Sequence, residues 1–393
     1  MTHPRLAIHY INLAHFITHY AMLIFATAVI VMVAEMGSDY TQLLPYATPG
    51  FVAFGAGSLL AGWLGDTWSR RGMMQVFFIG IGMSMIATGL VRTPAQLGVT
   101  LGLVGLFASI YHPVGTAMLV ASAERLGREI GINGVWGNVG VACSALLTGA
   151  LAYFVGWRWA FIVPGVVSVL AGLGFLLQVR GEPPSVGAPA STMPRVRRQD
   201  MWRVLLALLA SVVALSTAFN AITLALPKIF AERLDGLAGN TALVSIITAL
   251  VFLCGALAQW LVGRMIDRHA LKWVFLPLSV TLALLLYLAS DVAGWRLVPV
   301  AAVITAALFG QVTVNDAMVG KYTSDRWRAR AYAVRYFVGF TAAGASVSLV
   351  AWLHKLGGFS LLLRALGALC VLVVLAALAF PREASPLPRE QPR

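Results

Sequence analysis

Charge is what this 393-residue sequence has least of: 11% of its residues are Asp, Glu, Lys or Arg, against 59% hydrophobic. A soluble domain of this length needs roughly a quarter of its residues charged to coat its surface. A water-bathed globule is therefore excluded, and a mean hydropathy of +0.84 makes lipid the solvent. Cysteine is nearly absent as well. Cys143, Cys254 and Cys370 all fall within apolar runs, without metal-ligand spacing, and read as small packing residues rather than a disulfide or zinc framework. No Gly-x-x-x-x-Gly-Lys-Ser/Thr loop occurs, which argues against a nucleotide-driven pump, and no clustered catalytic set suggests an enzyme or a bound cofactor. The first apolar run is too long, and too rich in histidine, for a cleavable signal peptide.

Acidic residues are the scarcer of the charged types, 15 against 28 basic, for a net charge of +13. The basic residues form short clusters between apolar runs rather than a block, so nucleic acid is not the expected partner. This is how topology-setting charge looks. Backbone in hydrocarbon must satisfy its own hydrogen bonds, which leaves helices or a closed barrel. Long Leu, Ala, Val and Gly runs without strict alternation select helices.

Breaks at charges, Pro and Gly predict twelve transmembrane helices at about 8–34, 41–64, 73–92, 96–121, 131–154, 158–179, 202–231, 240–266, 272–292, 295–322, 329–355 and 359–380. With the N-terminus inside, twenty of the 28 Lys and Arg residues fall on the cytoplasmic side and seven outside, with Arg335 inside a helix. Both termini are therefore expected in the cytoplasm, for a multi-pass protein of the plasma membrane. The stretch RGEPPSVGAPASTMPRVRRQDM has no apolar period and divides the spans six and six. The expected organisation is an N-terminal six-helix bundle (1–180), a cytoplasmic linker (181–201), a second bundle (202–381) and a cytoplasmic tail (382–393).

The two bundles look duplicated. GWLGDTWSRR at 62–71 matches GRMIDRHALK at 263–272, each between the second and third helix of its half. Two parallel repeats imply pseudo-symmetry about an axis along the membrane normal and a solute site between the halves. This motif resembles the major facilitator superfamily, whose signature here is Gly-x-x-x-Asp-Arg/Lys-x-Gly-Arg/Lys-Arg/Lys. Gly62, Asp66, Arg70 and Arg71 match while Thr67 and Ser69 depart; the second copy keeps Gly263, Asp267, Arg268 and Lys272, with Ala270 in place of Gly. An Asp in such a turn can cap a helix or pair with the facing half, a contact made in one conformation and broken in another. The segment YHPVGTAMLVASAERLGREIGINGVWGNVG at 111–140 resembles the fosmidomycin-resistance type of that superfamily. Two departures weaken an efflux reading: the span 96–121 lacks the Arg that drug/proton antiporters carry, and Ser144–Gly149 lacks their fifth-helix Pro.

Polar groups inside spans are costly and so are functional candidates by default. Asn12, His15 and His19 form one stripe on the first helix, with His9 at its edge. Such a stripe should face an aqueous cavity, and histidine can titrate near physiological pH. His15 and His19 at i, i+4 are too few for a metal site, so none is expected. Ser109, His112 and Thr116 share a face of the fourth helix at i, i+3, i+7, where Pro113 should loosen the helix. Facilitators line their cavity with helices one, four, seven and ten, and here the last two carry Ser216, Asn220, Thr223, Gln311 and Asn315. Asp316 and Arg335 lie at matching depths, as a structural ion pair or gate, or as a proton carrier beside an anion-binding guanidinium. The expected function is secondary active transport of a small solute by alternating access, by a monomer, with protons as coupling ion. Export of a small amphiphile by antiport leads; uptake of a small organic anion or metal chelate by symport is the alternative.

Overall fold

The structure, a computed structural model, describes residues 4–122, 126–181, 201–236, 240–322 and 325–380; the side chains of residues 4, 120, 126–128, 130, 201–202, 267, 320–322, 325–334 and 336 are not described. The body of the expected linker and the tail 382–393 lie outside these residues. Six long helices precede the linker: α1 (Pro4–Glu35), α2 (Thr48–Thr67), α3 (Arg70–Gly89), α4 (Pro94–Ala108, continued by Thr116–Ser122), α5 (Leu126–Phe154) and α6 (Trp157–Gln178). They are followed by α7 (Met201–Arg233), α8 (Thr241–Arg268), α9 (Leu271–Leu288), α10 (Leu297–Tyr322) and a last continuous stretch, Asp325–Ala379.

Among the described residues, eleven helices are long and apolar enough to cross a membrane, the last of them spanning Phe337–Ala379. One crossing needs roughly 20 residues, so that stretch holds two. It is broken at Gly357 and Gly358, where Gly358 takes φ +63° and ψ −164°. That region of backbone space is open essentially only to glycine. The break yields α11 (325–356) and α12 (359–379), and the fold is all-helical with twelve transmembrane helices in two bundles.

Local chemistry sets the helix starts. Thr93 accepts from the Gln96 N–H while the Gln96 side chain accepts from the Thr93 N–H, with Pro94 at the first helical position of α4. Asn240 caps α8 through the Leu243 N–H. At the start of α3 the cap is Ser69, which accepts from the Gly72 N–H at 2.8 Å. Ser69 is one of the two residues that depart from the family signature, and Asp66 does not provide this cap. Midway along α4 the helix widens into a single π turn, Tyr111–Gly115. Pro113 brings no N–H to the ladder there, and a π turn holds one residue more than an α turn.

The halves repeat in their packing as well as their sequence. α1 packs on α5, α2 on α4 and α3 on both α4 and α6; the second half matches this with α7 on α11, α8 on α10 and α9 on α10 and α12. The duplicated turn shows the same likeness at one side chain. Arg71 donates to the carbonyls of Val179 (2.5 Å) and Leu176 (3.1 Å) at the end of α6. Lys272, ten positions into the second copy, donates to those of Leu378 and Phe380 at the end of α12, both at 2.7 Å. In each half a cation neutralises the carbonyl end of the sixth helix.

Across the halves, α2 lies against α11 and α5 against α8. Both interfaces use small residues to bring backbones close. A Cβ on Gly149 of α5 would collide with the Ser245 side chain of α8, and one on Gly55 of α2 with Phe340 of α11. At the end of the molecule that carries Tyr40, the Thr48 and Ser348 hydroxyls are 3.4 Å apart. Tyr40 packs edge-on against the His354–Phe359 pair of the second half, beneath the Lys228 ammonium. Glu232 joins Lys228 (3.2 Å) to His354 (3.3 Å). The preceding loop is tied down by Asp39, whose carboxyl is held below its ordinary range by the Thr41 hydroxyl and the Gln42 N–H.

Candidate functional site: the cavity between the halves

Long buried helices with polar stripes need somewhere to turn those stripes, and the structure provides a cavity of about 160 Å³ at mid-depth between the bundles. Its walls come from both halves. His19, Phe54 and Val141 stand for the first; Ser216, Phe219, Asn220, Thr223, Asn315, Arg335 and Phe340 for the second. Within its wall Phe54 packs on Phe340 across the two halves, with ring centroids 4.3 Å apart. The wall is therefore mostly apolar and aromatic, with a few polar groups placed among those surfaces, the usual make-up of a small-molecule site.

Arg335 of α11 and Asp316 of α10 form an ion pair, and the Arg335 side chain is 12% exposed. The described α11 begins at Asp325, so Arg335 sits ten residues into its helix and on the cavity wall. It does not join the Asp66 turn: Asp66 pairs with Arg70 at 2.8 Å, one helical turn on. Asn315, next to Asp316, is 4% exposed and lines the cavity, and its side-chain carbonyl accepts no protein hydrogen bond. Asn220 faces the same space, donating to the Ser216 carbonyl at 2.8 Å.

On the first half the histidines converge. His15 and His19 bring their Nε2 atoms to 3.1 Å, and His112 places its ring centroid 5.6 Å from both. The nearest ring nitrogens of all three lie within 4.8 Å of one another. His15 Nδ1 is 2.7 Å from the Asn133 carbonyl oxygen, which can only accept, so Nδ1 carries the proton and Nε2 the lone pair. Asn133 also donates to Asn12 at 2.9 Å and accepts from the Tyr111 hydroxyl at 2.8 Å, while Tyr111 stacks on His15. Asn12 is thus part of the frame that holds His15.

Other expected residues go elsewhere. Ser109 abuts Gly57 of α2 and Thr116 is exposed, so neither shares the face of His112. The π turn between them adds a residue and breaks the i, i+3, i+7 register. Gln311 is fully buried and turned within its own half, donating to Ser279 of α9 at 2.9 Å. His9 is exposed. In the duplicated turn, Gly62 lies against Pro113 of α4 and Gly263 near Thr313 of α10. Arg268 is exposed, and the Asp267 side chain lies outside the described residues. Tyr111, Asn133, Phe54 and Phe340 were not singled out from sequence. Tyr111 and Asn133 hydrogen-bond to each other across two helices, which no periodicity within one helix signals.

The sequence profile of the Major Facilitator Superfamily matches residues 11–237 and 210–393. The chain belongs to that superfamily. It is a multi-pass membrane transporter and not an enzyme. Among curated relatives of this facilitator, the puromycin resistance protein pur8 of Streptomyces alboniger is 30% identical over 149 residues, covering 37% of this chain and 30% of that protein. A "probable hexose phosphate transport protein" of Chlamydia muridarum is 26% identical over 180 residues, covering 45% and 39%. The matched stretch thus spans well under half of either relative. Among solved structures, an inward-facing, occupied bacterial homologue of the human lysosomal transporter Spinster superposes with a TM-score of 0.76 over 97% of both chains, at 15% identity, a likeness of fold alone.

Proposed function

We propose that this facilitator carries a small organic anion through the cavity between its halves, with the Arg335 guanidinium as the anion's anchor. The observation that carries this reading is Arg335 on the cavity wall, paired with Asp316 and flanked by Asn315 and Asn220. A guanidinium presents donors in a planar fork that suits carboxylate or phosphate. The Asn315 side-chain carbonyl and the aromatic walls then select the uncharged remainder of the solute. The hexose phosphate transport protein, similar over 180 residues, lends support.

Coupling follows from competition for one cation. Arg335 can face Asp316 or a solute anion. Protonating Asp316 releases the guanidinium, so proton and anion are bound together and move together, which is symport. The basic loops favour placing the Asp66 end in the cytoplasm of a plasma membrane, and closure at the Tyr40 end then corresponds to an inward-facing arrangement. The duplicated turn, with Gly62, Asp66, Arg70 and Arg71 in one half and Gly263, Asp267 and Arg268 in the other, is placed to bias the rocking of one bundle on the other. Each chain encloses a complete cavity, so the working unit is a monomer.

A second reading, export of a small amphiphile by proton antiport, is favoured by the apolar cavity walls and by the likeness to pur8. The resemblance of residues 111–140 to the fosmidomycin-resistance type points the same way. Proteoliposomes with an imposed pH gradient separate the two. Organic phosphates or carboxylates accumulating in the direction of proton flow support the first reading; an amphiphilic cation moving against it, with no anion transported, overturns it.

A further inference from the structure

We infer that His15, His19 and His112 form a binding site for a divalent transition-metal ion, opening onto the cavity through His19. Sequence spacing gave two imidazoles at i, i+4, which is one ligand short. The π turn of α4 supplies the third by swinging His112 towards α1, so that three ring nitrogens lie within 4.8 Å. Tetrahedral coordination at roughly 2.0–2.1 Å places ligand nitrogens about 3.3 Å apart. The His15–His19 pair, at 3.1 Å, is already near that separation, and the remaining pairs lie within 4.8 Å.

The orientation of His15 is the one a ligand needs. Histidines on a metal typically donate their second ring N–H to a carbonyl or carboxylate, which fixes the tautomer and the ring. Here the Asn133 carbonyl takes the Nδ1 proton and stacking on Tyr111 holds the plane, leaving the Nε2 lone pair aimed into the cluster. In the absence of metal, His19 must donate its Nε2 proton to that lone pair, and metal binding requires the proton of His19 to move to Nδ1. Such a set of three neutral imidazoles suits Zn²⁺, Co²⁺, Ni²⁺ or Cu²⁺ rather than Mg²⁺ or Ca²⁺, which take oxygen ligands.

A dication held by neutral ligands inside a membrane still lacks compensating charge. Asp316 is committed to Arg335. A carboxylate or phosphate on the metal's open face would supply it, with the solute's second anionic group on Arg335. That last step rests on the anion reading above; the metal site itself rests on the histidines.

The test is a Co²⁺ titration of the purified full-length chain, its affinity tag removed, followed by the visible d–d absorption of the ion. One Co²⁺ per chain, displaced by Zn²⁺, is expected, with affinity falling at least about 100-fold in His19→Ala and unchanged in His269→Ala. His19→Cys should retain the ion and add a thiolate charge-transfer band, a readout that mere structural disturbance does not produce. No Co²⁺ binding, or binding indifferent to His19→Ala and silent in His19→Cys, overturns the site. Organic anions that raise the melting temperature in EDTA, with no such Co²⁺ signal, would leave the anion reading standing and remove the metal.

Discussion

Arg335 is the residue on which most of the functional argument turns. Its guanidinium is the one Lys or Arg cation among the described residues that line the cavity, and a charge-assisted hydrogen bond contributes about 1.5–3 kcal/mol. Arg335→Gln should therefore weaken binding of the transported anion roughly 10- to 100-fold, since about 1.4 kcal/mol is a factor of ten. Arg335→Lys keeps the charge and loses the planar fork, so it should recover part of that loss. Thermal-shift titrations with organic phosphates and carboxylates measure both, and an unchanged affinity in Arg335→Gln would remove the anchor. From sequence, matching depths offered Asp316 as one partner for Arg335, with the Asp66 turn as another. The place of Arg335 on the cavity wall was not legible, because it depends on where α11 begins, and Arg326, Arg328 and Arg330 obscure that start. Histidines 15 and 19 were legible through helical spacing. Tyr111 and Asn133 were not, because their partners lie on other helices and only tertiary packing brings them together.

At the scale of the element, two departures from regular helix shape the molecule, and they differ in how far sequence announces them. Pro113 marks the widened turn in α4, and its missing N–H makes a loosened helix there foreseeable. The consequence was harder to read. One extra residue in the turn carries Thr116 off the face of His112, so a stripe drawn with a constant 3.6-residue period fails after residue 111. The break between α11 and α12 is announced by Gly357-Gly358, and the predicted spans did divide there. Gly358 holds φ +63° and ψ −164° with nothing near its would-be Cβ, so the constraint is conformational rather than steric crowding by neighbours. Gly358→Ala should destabilise the folded protein by about 1–3 kcal/mol. A lower melting temperature in detergent is the expected result, and an unchanged one would mean that the connection relaxes freely. Gly357 has φ −159° and ψ 26°, outside the left-handed region, and a Cβ there would lie 2.9 Å from Leu361 Cβ, so Gly357→Ala tests packing rather than a positive φ.

For the whole molecule, alternating access requires the contacts at one end to break when the other end closes. The count of spans, the duplication and the family were all legible, because hydropathy, charge placement and the repeated Gly-x-x-x-Asp turn are local properties of the chain. The conformation adopted was not, since both arrangements share one sequence and differ only in which end of the bundles meets. The structure closes the Tyr40 end, where the hydroxyls of Thr48 on α2 and Ser348 on α11 are 3.4 Å apart. Cysteines at the two positions would place their sulfurs where the two hydroxyls now approach, close enough to be drawn together into a disulfide. The double variant Thr48→Cys, Ser348→Cys, made with the exposed native thiol removed as Cys254→Ser, should crosslink under mild oxidant. If closure at this end must open during each cycle, transport should fall to background when the bridge forms and return on reduction. Solute binding from the Asp66 side should survive oxidation, because the bridge locks only the Tyr40 end. Full transport with the bridge intact would show that the two halves do not part at the Tyr40 end, and would require a route for the solute that avoids it.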